Sequence, residues 1–320
     1  MRAKTLGKTG LQVPIVGLGT GSIGLRTLEV MPLAYDGTDS RGKGYYDFEM
    51  GVNAVLLAIY GGSTIIDTAP KYGAGQSEEM IAEALRCEPA NVIVTTKIGC
   101  LFDNDGYDFS YDAAMRTFEG SLKRLRVDTL PIVYLHDPMG VERSRVMKGV
   151  FRAMQKLKEQ GVVKWLGIAA NDPETNADYI ETGLFDVAVV PDCWSMIDQR
   201  AEKRIIPAAR KYGMGLVAAT VVERGLLATG PVGRGFYLGR NFSPECLEHV
   251  KRIRDFCEEG NVPLGAAALQ WATRTDVFAS AIPGARTPGE VAQNTVWAKM
   301  QIPDEFWAEF DKRELARQIL

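Results

Sequence analysis

The polar side chains that could do chemistry in this 320-residue chain stand where short apolar runs stop. STIID ends on Asp67, with Tyr72 five residues later; VIVTT leads into Lys97, and IVYL into His136. A desolvated lysine beside an aspartate keeps its positive charge, and that charge favours phenolate formation on a nearby tyrosine. A tyrosine so prepared gives or takes a proton near neutral pH, while a histidine orients a substrate oxygen through a hydrogen bond. Plainer roles exist for each residue: Asp67 as a turn cap, Lys97 as its counter-charge, His136 as a backbone donor and Tyr72 as a cover. Their placement in one series of strand-end positions points to proton transfer.

Elements that could hold such a group recur along the chain. The opening AKTLGKTGLQVP reads as a hairpin of two small strands around a glycine turn. Apolar, β-branched runs then predict strands at 15–18, 63–67, 92–96, 132–135, 163–169, 187–190, 215–219 and 278–281. Helical periodicity predicts helices near 48–61, 77–86, 111–125, 145–160, 173–182, 198–212, 263–273, 288–295 and 303–316, and PECLEHVKRIRDF, which carries His249 in a packing or surface role, is also helical in pattern. Strands alternating with helices imply an α/β protein with a parallel sheet buried on both faces. Eight units in one register without a linker favour closure into a (β/α)8 TIM barrel, one domain over residues 1–320, rather than an open doubly wound sheet. Residues 25–47 lack periodicity and read as a loop insertion at or near the barrel mouth.

Composition narrows the function classes. With 37 basic and 40 acidic residues the formal charge is −3, so no global field favours nucleic acid or an anionic membrane. A mean hydropathy of −0.08, the absence of a long apolar run and the lack of a hydrophobic leader make a cytoplasmic location the expectation. The five cysteines show no metal-type spacing and the two histidines exclude a multi-histidine centre, so no metal is expected. Gly17, Gly19, Gly21 and Gly24 do not form the GxGxxG fingerprint of a Rossmann site.

Taken in order, GLGTG, IDTAPKYG with its following SE, TTKIG, LHDP, WLGIAAND and IPGARTPGEVAQN strongly resemble the aldo-keto reductase superfamily through nearly the whole chain. That resemblance implies a (β/α)8 barrel closed below by an N-terminal hairpin, with a catalytic tetrad of Asp67, Tyr72, Lys97 and His136. Tyr72 would be the general acid in carbonyl reduction and the base in alcohol oxidation, Lys97 and Asp67 would tune it, and His136 would position the reacting oxygen. A nicotinamide would carry the redox chemistry, without metal or flavin.

Cofactor contacts are implied along the same alignment of motifs. Gly19, Thr20 and Gly21 allow close backbone approach after the first strand. Asn171 maps to a carboxamide-binding asparagine, although an asparagine before Pro173 is also an apt helix cap; its common serine neighbour is Ala170 here. Thr220, Val222 and Arg224 would line the cofactor wall, with Arg224 facing the diphosphate, while Ala219 replaces an aromatic that stacks on nicotinamide in many relatives. Gly284, Arg286, Thr287, Glu290, Gln293 and Asn294 would form the adenosine side, where a helix start favours an anion. A carboxylate at Glu290 repels a 2′-phosphate and accepts from ribose hydroxyls, whereas Arg286 could pair with that phosphate; the balance leans to NAD over NADP.

The resemblance is closest to bacterial sugar, aldose and pyridoxal dehydrogenase types. The expected reaction interconverts an alcohol or sugar hydroxyl with a carbonyl or lactone, the substrate being a small carbonyl, alcohol or sugar. Tyr35, Asp36, Asp39, Arg41, Lys43, Tyr45 and Tyr46 could contact a hydroxylated substrate, or form an exposed loop. Trp194 either shapes the pocket or fills the barrel exterior. The alternatives are a broad NADPH-dependent aldehyde and ketone reductase, and a non-enzymatic nicotinamide sensor. Mixed charge on the helices leaves the oligomeric state open.

Overall fold

The computed structural model describes residues 1–26, 45–99, 107–232, 236–237 and 240–320; the insertion expected at 25–47 lies outside the described residues apart from its ends. Eight parallel strands run in sequence order: β3 (Leu18–Gly19), β4 (Ile65–Asp67), β5 (Ile93–Ile98), β6 (Leu130–His136), β7 (Val163–Ala169), β8 (Val187–Val190), β9 (Gly215–Ala218) and β12 (Phe278–Ala281). Bridges from Val16 to Ala281 and from Gly19 to Gly284 bring the last strand back to the first and close the barrel. At Gly19 an added Cβ would lie 2.8 Å from the Ile282 carbonyl oxygen, so this glycine serves the closure itself.

The sequence-predicted hairpin is β1 (Ala3–Thr5) against β2 (Gln12–Pro14). It plugs the barrel floor: Leu6 and Val13 join Ile65, Ile132, Tyr134, Val187, Val189, Val217, Ala279 and Ile282 in one buried lumen cluster. Gly7 lets the turn press against the start of β9, where a Cβ would meet the Gly215 nitrogen at 2.2 Å. Higher in the lumen Tyr134 occupies the space that a side chain at position 167 would need, its ring 2.2 Å from the Cβ that Gly167 lacks. Such filling is what makes a barrel of this kind a core rather than a pore.

Helices cover the outer face and bury a second, larger apolar cluster against the strands. Their starts follow side-chain capping, in which Asp47, Ser110, Asp172, Ser243 and Thr287 each accept from a backbone N–H three residues on. The helix predicted at 145–160 passes through a π turn at Met147–Phe151, where the Phe109 carbonyl accepts from the Val150 N–H at 2.8 Å. The stretch predicted at 198–212 is helical only as a short turn, Arg200–Glu202, and as Ile205–Tyr212. Pro244–Glu259 is a full helix, with His249 buried and its Nε2 2.9 Å from the Leu315 carbonyl oxygen, a packing role. Trp194 also packs: its ring stacks on Trp271 and Phe278, and Nε1 donates to the Ala272 carbonyl. No helix among the described residues is long and apolar enough to cross a membrane.

Candidate active site

Strand pleating decides which side chains reach the upper lumen. Alternate residues share a face, so the apolar series Ile65, Ile93 and Ile132, with Tyr134 above it, is continued upward by Asp67 on β4, by Thr95 and Lys97 on β5 and by His136 on β6. Lys97 is the penultimate residue of β5, not its successor as the sequence pattern suggested, because Ile98 extends the strand on its outer face. The four candidate chemical residues therefore meet in one place, three from adjacent strands and Tyr72 from the turn after β4.

Lys97 is the centre of this group. Its ammonium donates to Asp67 Oδ2 at 2.6 Å, to the Thr68 carbonyl at 2.8 Å and to the Tyr72 hydroxyl oxygen at 3.2 Å. The other Asp67 oxygen accepts from Thr95 Oγ1 at 3.0 Å. Lys97 and Asp67 are both buried, so the pair is held by several bonds rather than by solvent-screened attraction. Tyr72 opens a tight turn, Tyr72–Gly75, in which Gly73, Ala74 and Gly75 are all left-handed; the Gly73 backbone lies against the Tyr46 ring. A donor cation on the phenol oxygen stabilises the anion left when Tyr72 gives up its proton.

His136 is buried and stands edge-on to the Tyr72 ring, centroids 6.2 Å apart. Burial, reinforced by the charges of Lys97 and Lys71, holds its imidazole well below the ordinary histidine range, so the ring is neutral at physiological pH. Its Nδ1 has no hydrogen-bond partner among the described residues, and its Nε2 stands 3.9 Å from Asp137 Oδ2, too far for a hydrogen bond. A neutral imidazole with unused hydrogen-bonding capacity can engage a substrate oxygen.

Two residues beside the tetrad were not singled out by sequence reasoning, although both lie in quoted motifs. Asp137, with a left-handed backbone at φ 44°, accepts from the Asn171 backbone N–H and from Asn171 Nδ2, both at 2.7 Å. Burial nonetheless pushes the Asp137 carboxyl up from its usual range. Its grip fixes the Asn171 amide plane through Nδ2; the helix cap proposed for Asn171 is supplied instead by Asp172. The second residue, Lys71, lies half-buried with its ammonium 5.6 Å over the Tyr107 ring.

Thr20 needs a correction of role. Its N–H and hydroxyl both donate to the Asp67 carbonyl, at 3.0 and 2.8 Å, and its hydroxyl also accepts from Ser77 Oγ at 2.7 Å. It is buried behind the site and steadies Asp67 rather than facing a ligand. Gly21 lies at its edge, half-exposed.

In the loops after β8 and β9 three carboxylates pair with three arginines. Arg224 pairs with Asp192 at 3.0 Å, Arg200 with Asp198 at 2.6 Å, and Arg240, on β11 (Arg240–Asn241), with Glu223 at 3.0 Å. Ser195 donates to Glu223 Oε1 at 2.5 Å, and Thr220 Oγ1 accepts from the Asp192 N–H at 2.6 Å. Burial outweighs both Arg240 and Ser195 and pushes the Glu223 carboxyl up to about 7. Thr220, Glu223 and Arg224 are left-handed, as are Asp137 and Asp192 at the ends of β6 and β8. Strained backbone of this kind collects where loops hold ligands.

On the other flank, Thr287 caps the helix Pro288–Lys299, along which Gln293 is exposed and Asn294 half-buried. Glu290 is folded back onto Arg286, accepting from its backbone N–H at 2.6 Å and pairing with its guanidinium at 3.3 Å. The same guanidinium donates to the carbonyls of Leu25 and Arg26, and a Leu25–Tyr46 bridge joins the two ends of the insertion. These features fit an anionic dinucleotide on three counts. The Nε atoms of Arg224 and Arg286 are buried without a partner among the described residues. A Cβ at Gly225 would meet nothing within 4 Å, and at Gly284 nothing nearer than Ser22 Oγ at 3.6 Å, so both backbones are open to approach. The helix Pro288–Lys299 turns its N-terminus, a natural seat for negative charge, to the same side.

Comparison with known proteins agrees with this geometry. A family model described as the aldo/keto reductase family matches residues 18–314. The chain is 30% identical to pyridoxal 4-dehydrogenase from Microbacterium luteolum, over 95% of each protein. It is also 30% identical to D-threo-aldose 1-dehydrogenase from a Pseudomonas species, over 82% of this chain and 87% of that one. Among solved structures, aldo-keto reductase AKR11C1 from Bacillus halodurans in its holo form superposes with a TM-score of 0.79 at 23% identity, covering 100% of this chain and 98% of that one, and shares the fold.

Proposed function

The chain belongs to the aldo/keto reductase family, and from that premise we propose that it interconverts a sugar or related hydroxylated compound and its carbonyl or lactone, with Tyr72 as the proton-transfer residue. The observation that carries this reading is the Lys97 ammonium bonded at once to Asp67 and to the Tyr72 oxygen inside the lumen. The nicotinamide, when bound, supplies or accepts the hydride. The residues of this chain do the rest. Tyr72 gives its proton to a carbonyl oxygen in reduction and takes it from a hydroxyl in oxidation, while Lys97 stabilises the phenolate that alternates with it. Neutral His136 holds the same oxygen and fixes which carbon is presented. Asn171, steadied by Asp137, would hold the carboxamide; Thr220, Val222 and Arg224 would line the diphosphate side, with Gly284, Thr287, Gln293 and Asn294 on the adenosine side.

Dependence on a nicotinamide dinucleotide is general to this reading; the preference for NAD is its finer part. Arg286 is already engaged through both terminal nitrogens by Glu290 and by two carbonyls, so that only its buried Nε is unpartnered among the described residues and a two-pronged grip on a 2′-phosphate is disfavoured. The relatives named as pyridoxal and aldose dehydrogenases support a hydroxylated substrate.

The test follows absorbance at 340 nm with each reduced coenzyme against carbonyls and each oxidised coenzyme against sugars and alcohols, for the wild type and Tyr72→Phe. A fall in kcat of roughly 10²–10⁴ in the variant, with coenzyme binding kept, is expected for loss of a general acid. Turnover that survives Tyr72→Phe at the wild-type rate overturns the assignment, and binding of coenzyme without any turnover turns the reading toward a sensor.

A further inference from the structure

Five cations near the candidate site are paired with a carboxylate. Lys97 has Asp67, Arg224 has Asp192, Arg240 has Glu223, Arg286 has Glu290 and Arg26 has Asp47. Among the described residues Lys71 meets no carboxylate and no carbonyl; its partner there is the face of Tyr107, 5.6 Å from the ammonium. Tyr107 is itself stacked flat on Phe109, centroids 5.8 Å apart, so the aromatic face is held in place. Lys71 directly precedes Tyr72 and stands at the entry of the turn that presents it.

This ammonium is close enough to the reaction centre to be felt there. Its charge adds to burial and to Lys97 in disfavouring a proton on His136, and it draws the Asp137 carboxyl downward against burial. A half-buried cation facing an aromatic ring attracts an anion more strongly than a solvated lysine does, because less water competes and the ring leaves the charge formally unneutralised. In a cleft, one placed charge also sets which way a flexible substrate enters.

We infer that Lys71, braced by Tyr107, is a specificity-determining residue that binds a carboxylate carried by the substrate, so that the hydroxylated compound acted on is an acid such as a sugar acid rather than a neutral sugar. The inference rests on the hydride-transfer reading above and deepens it. Lys71 supplies the positive end of an ion pair whose negative end is the substrate, and that pairing orients the reacting carbon toward Tyr72 and His136.

The experiment compares matched pairs that differ in charge, galacturonate against galactose and 4-carboxybenzaldehyde against benzaldehyde, in steady-state turnover by the wild type, Lys71→Met and Lys71→Arg. Calorimetric titration of all three proteins with galacturonate and with galactose runs beside it. The wild type is expected to favour the acid of each pair in kcat/KM by at least about tenfold. Lys71→Met should erase that ratio mainly through KM, and Lys71→Arg should keep it within about threefold; the titrations should show the same order. A wild type without preference for the acids, or a ratio unchanged in Lys71→Met, overturns the inference and leaves Tyr72-dependent hydride transfer standing. Loss of all Tyr72-dependent turnover sinks the hydride-transfer reading instead, and the calorimetric preference for galacturonate, present or absent in the wild type and removed or not in Lys71→Met, then decides the role of Lys71 alone.

Discussion

Glu223 offers a prediction whose size can be worked out from its surroundings. It is buried beneath the loop after β9, accepts from Ser195 and pairs with Arg240, and its carboxyl is nonetheless pushed up to about 7. An acid whose pKa is raised on folding favours the native state in its protonated form. Its contribution is therefore fully present below the unfolded value near 4.5, is lost as pH rises toward 7 and stays lost above that. A rise of roughly 2.5 units at 1.36 kcal/mol per unit makes the loss about 3 kcal/mol. For a chain of this length that corresponds to roughly 5 °C in the midpoint of thermal unfolding. Glu223→Gln keeps the shape and the contact with Ser195 but cannot ionise. The stability of the wild type relative to Glu223→Gln should therefore fall steadily between pH 5 and pH 7.5 and then level off. Calorimetric melts of the two proteins at half-unit steps measure this directly. A difference that is flat across the range, or one that grows in favour of the wild type as pH rises, refutes the argument that burial outweighs Arg240.

Three further outcomes follow from other parts of the molecule. Lys97→Met should leave the buried Asp67 carboxylate with Thr95 as its one remaining side-chain donor among the described residues, destabilising the protein by about 3–5 kcal/mol in denaturant titrations while reducing kcat by roughly 10²-fold or more. Glu290→Gln should release the Arg286 guanidinium and shift the ratio of kcat/KM for NADPH over NADH upward by roughly tenfold, about the effect of one partly screened charge; an unchanged ratio removes Glu290 from coenzyme choice. Gly7→Ala should cost at least about 2 kcal/mol, since the new methyl must displace the turn from β9 and the residue sits at φ 47°, yet kcat per folded molecule should stay at the wild-type value because the clash lies at the opposite end of the barrel.

Much of this was legible before any coordinates. The β-branched runs alternating with amphipathic segments are a strong signal because each strand is buried on both faces, and every predicted barrel strand falls on or beside an observed one. That Asp67, Tyr72, Lys97 and His136 would come together was legible because three of them end apolar runs and Tyr72 follows within one loop. What could not be read were pairings between loops. The clasp of Asp137 on Asn171 exists only because β6 and β7 are neighbours whose ends lie level, and nothing in either motif alone records that. Glu223 with Ser195 and Arg240 joins the loop after β8 to two separated parts of the loop after β9 and has no spacing to betray it. Thr20 was misassigned for the opposite reason: a threonine between glycines suggests a ligand loop, and only the position of Ser77 and of the Asp67 carbonyl shows that its donors point inward. The hairpin of Phe236–Tyr237 against Arg240–Asn241, two residues a strand, is too short to have a period at all.

The fit of Tyr134 into the space left by Gly167 bears on how this protein could be changed. The two positions are complementary in volume: a side chain at 167 is admissible only if the ring at 134 shrinks in compensation, so substitutions there must arrive as a pair. The layer below is filled as well, by Leu6 and Val13, which seal the lumen. The candidate site thus stands on a filled pedestal. Selection for a new substrate, natural or imposed, has little to gain from digging downward and is channelled to the rim, where side chains such as Lys71 and Tyr107 stand clear of the packed layers.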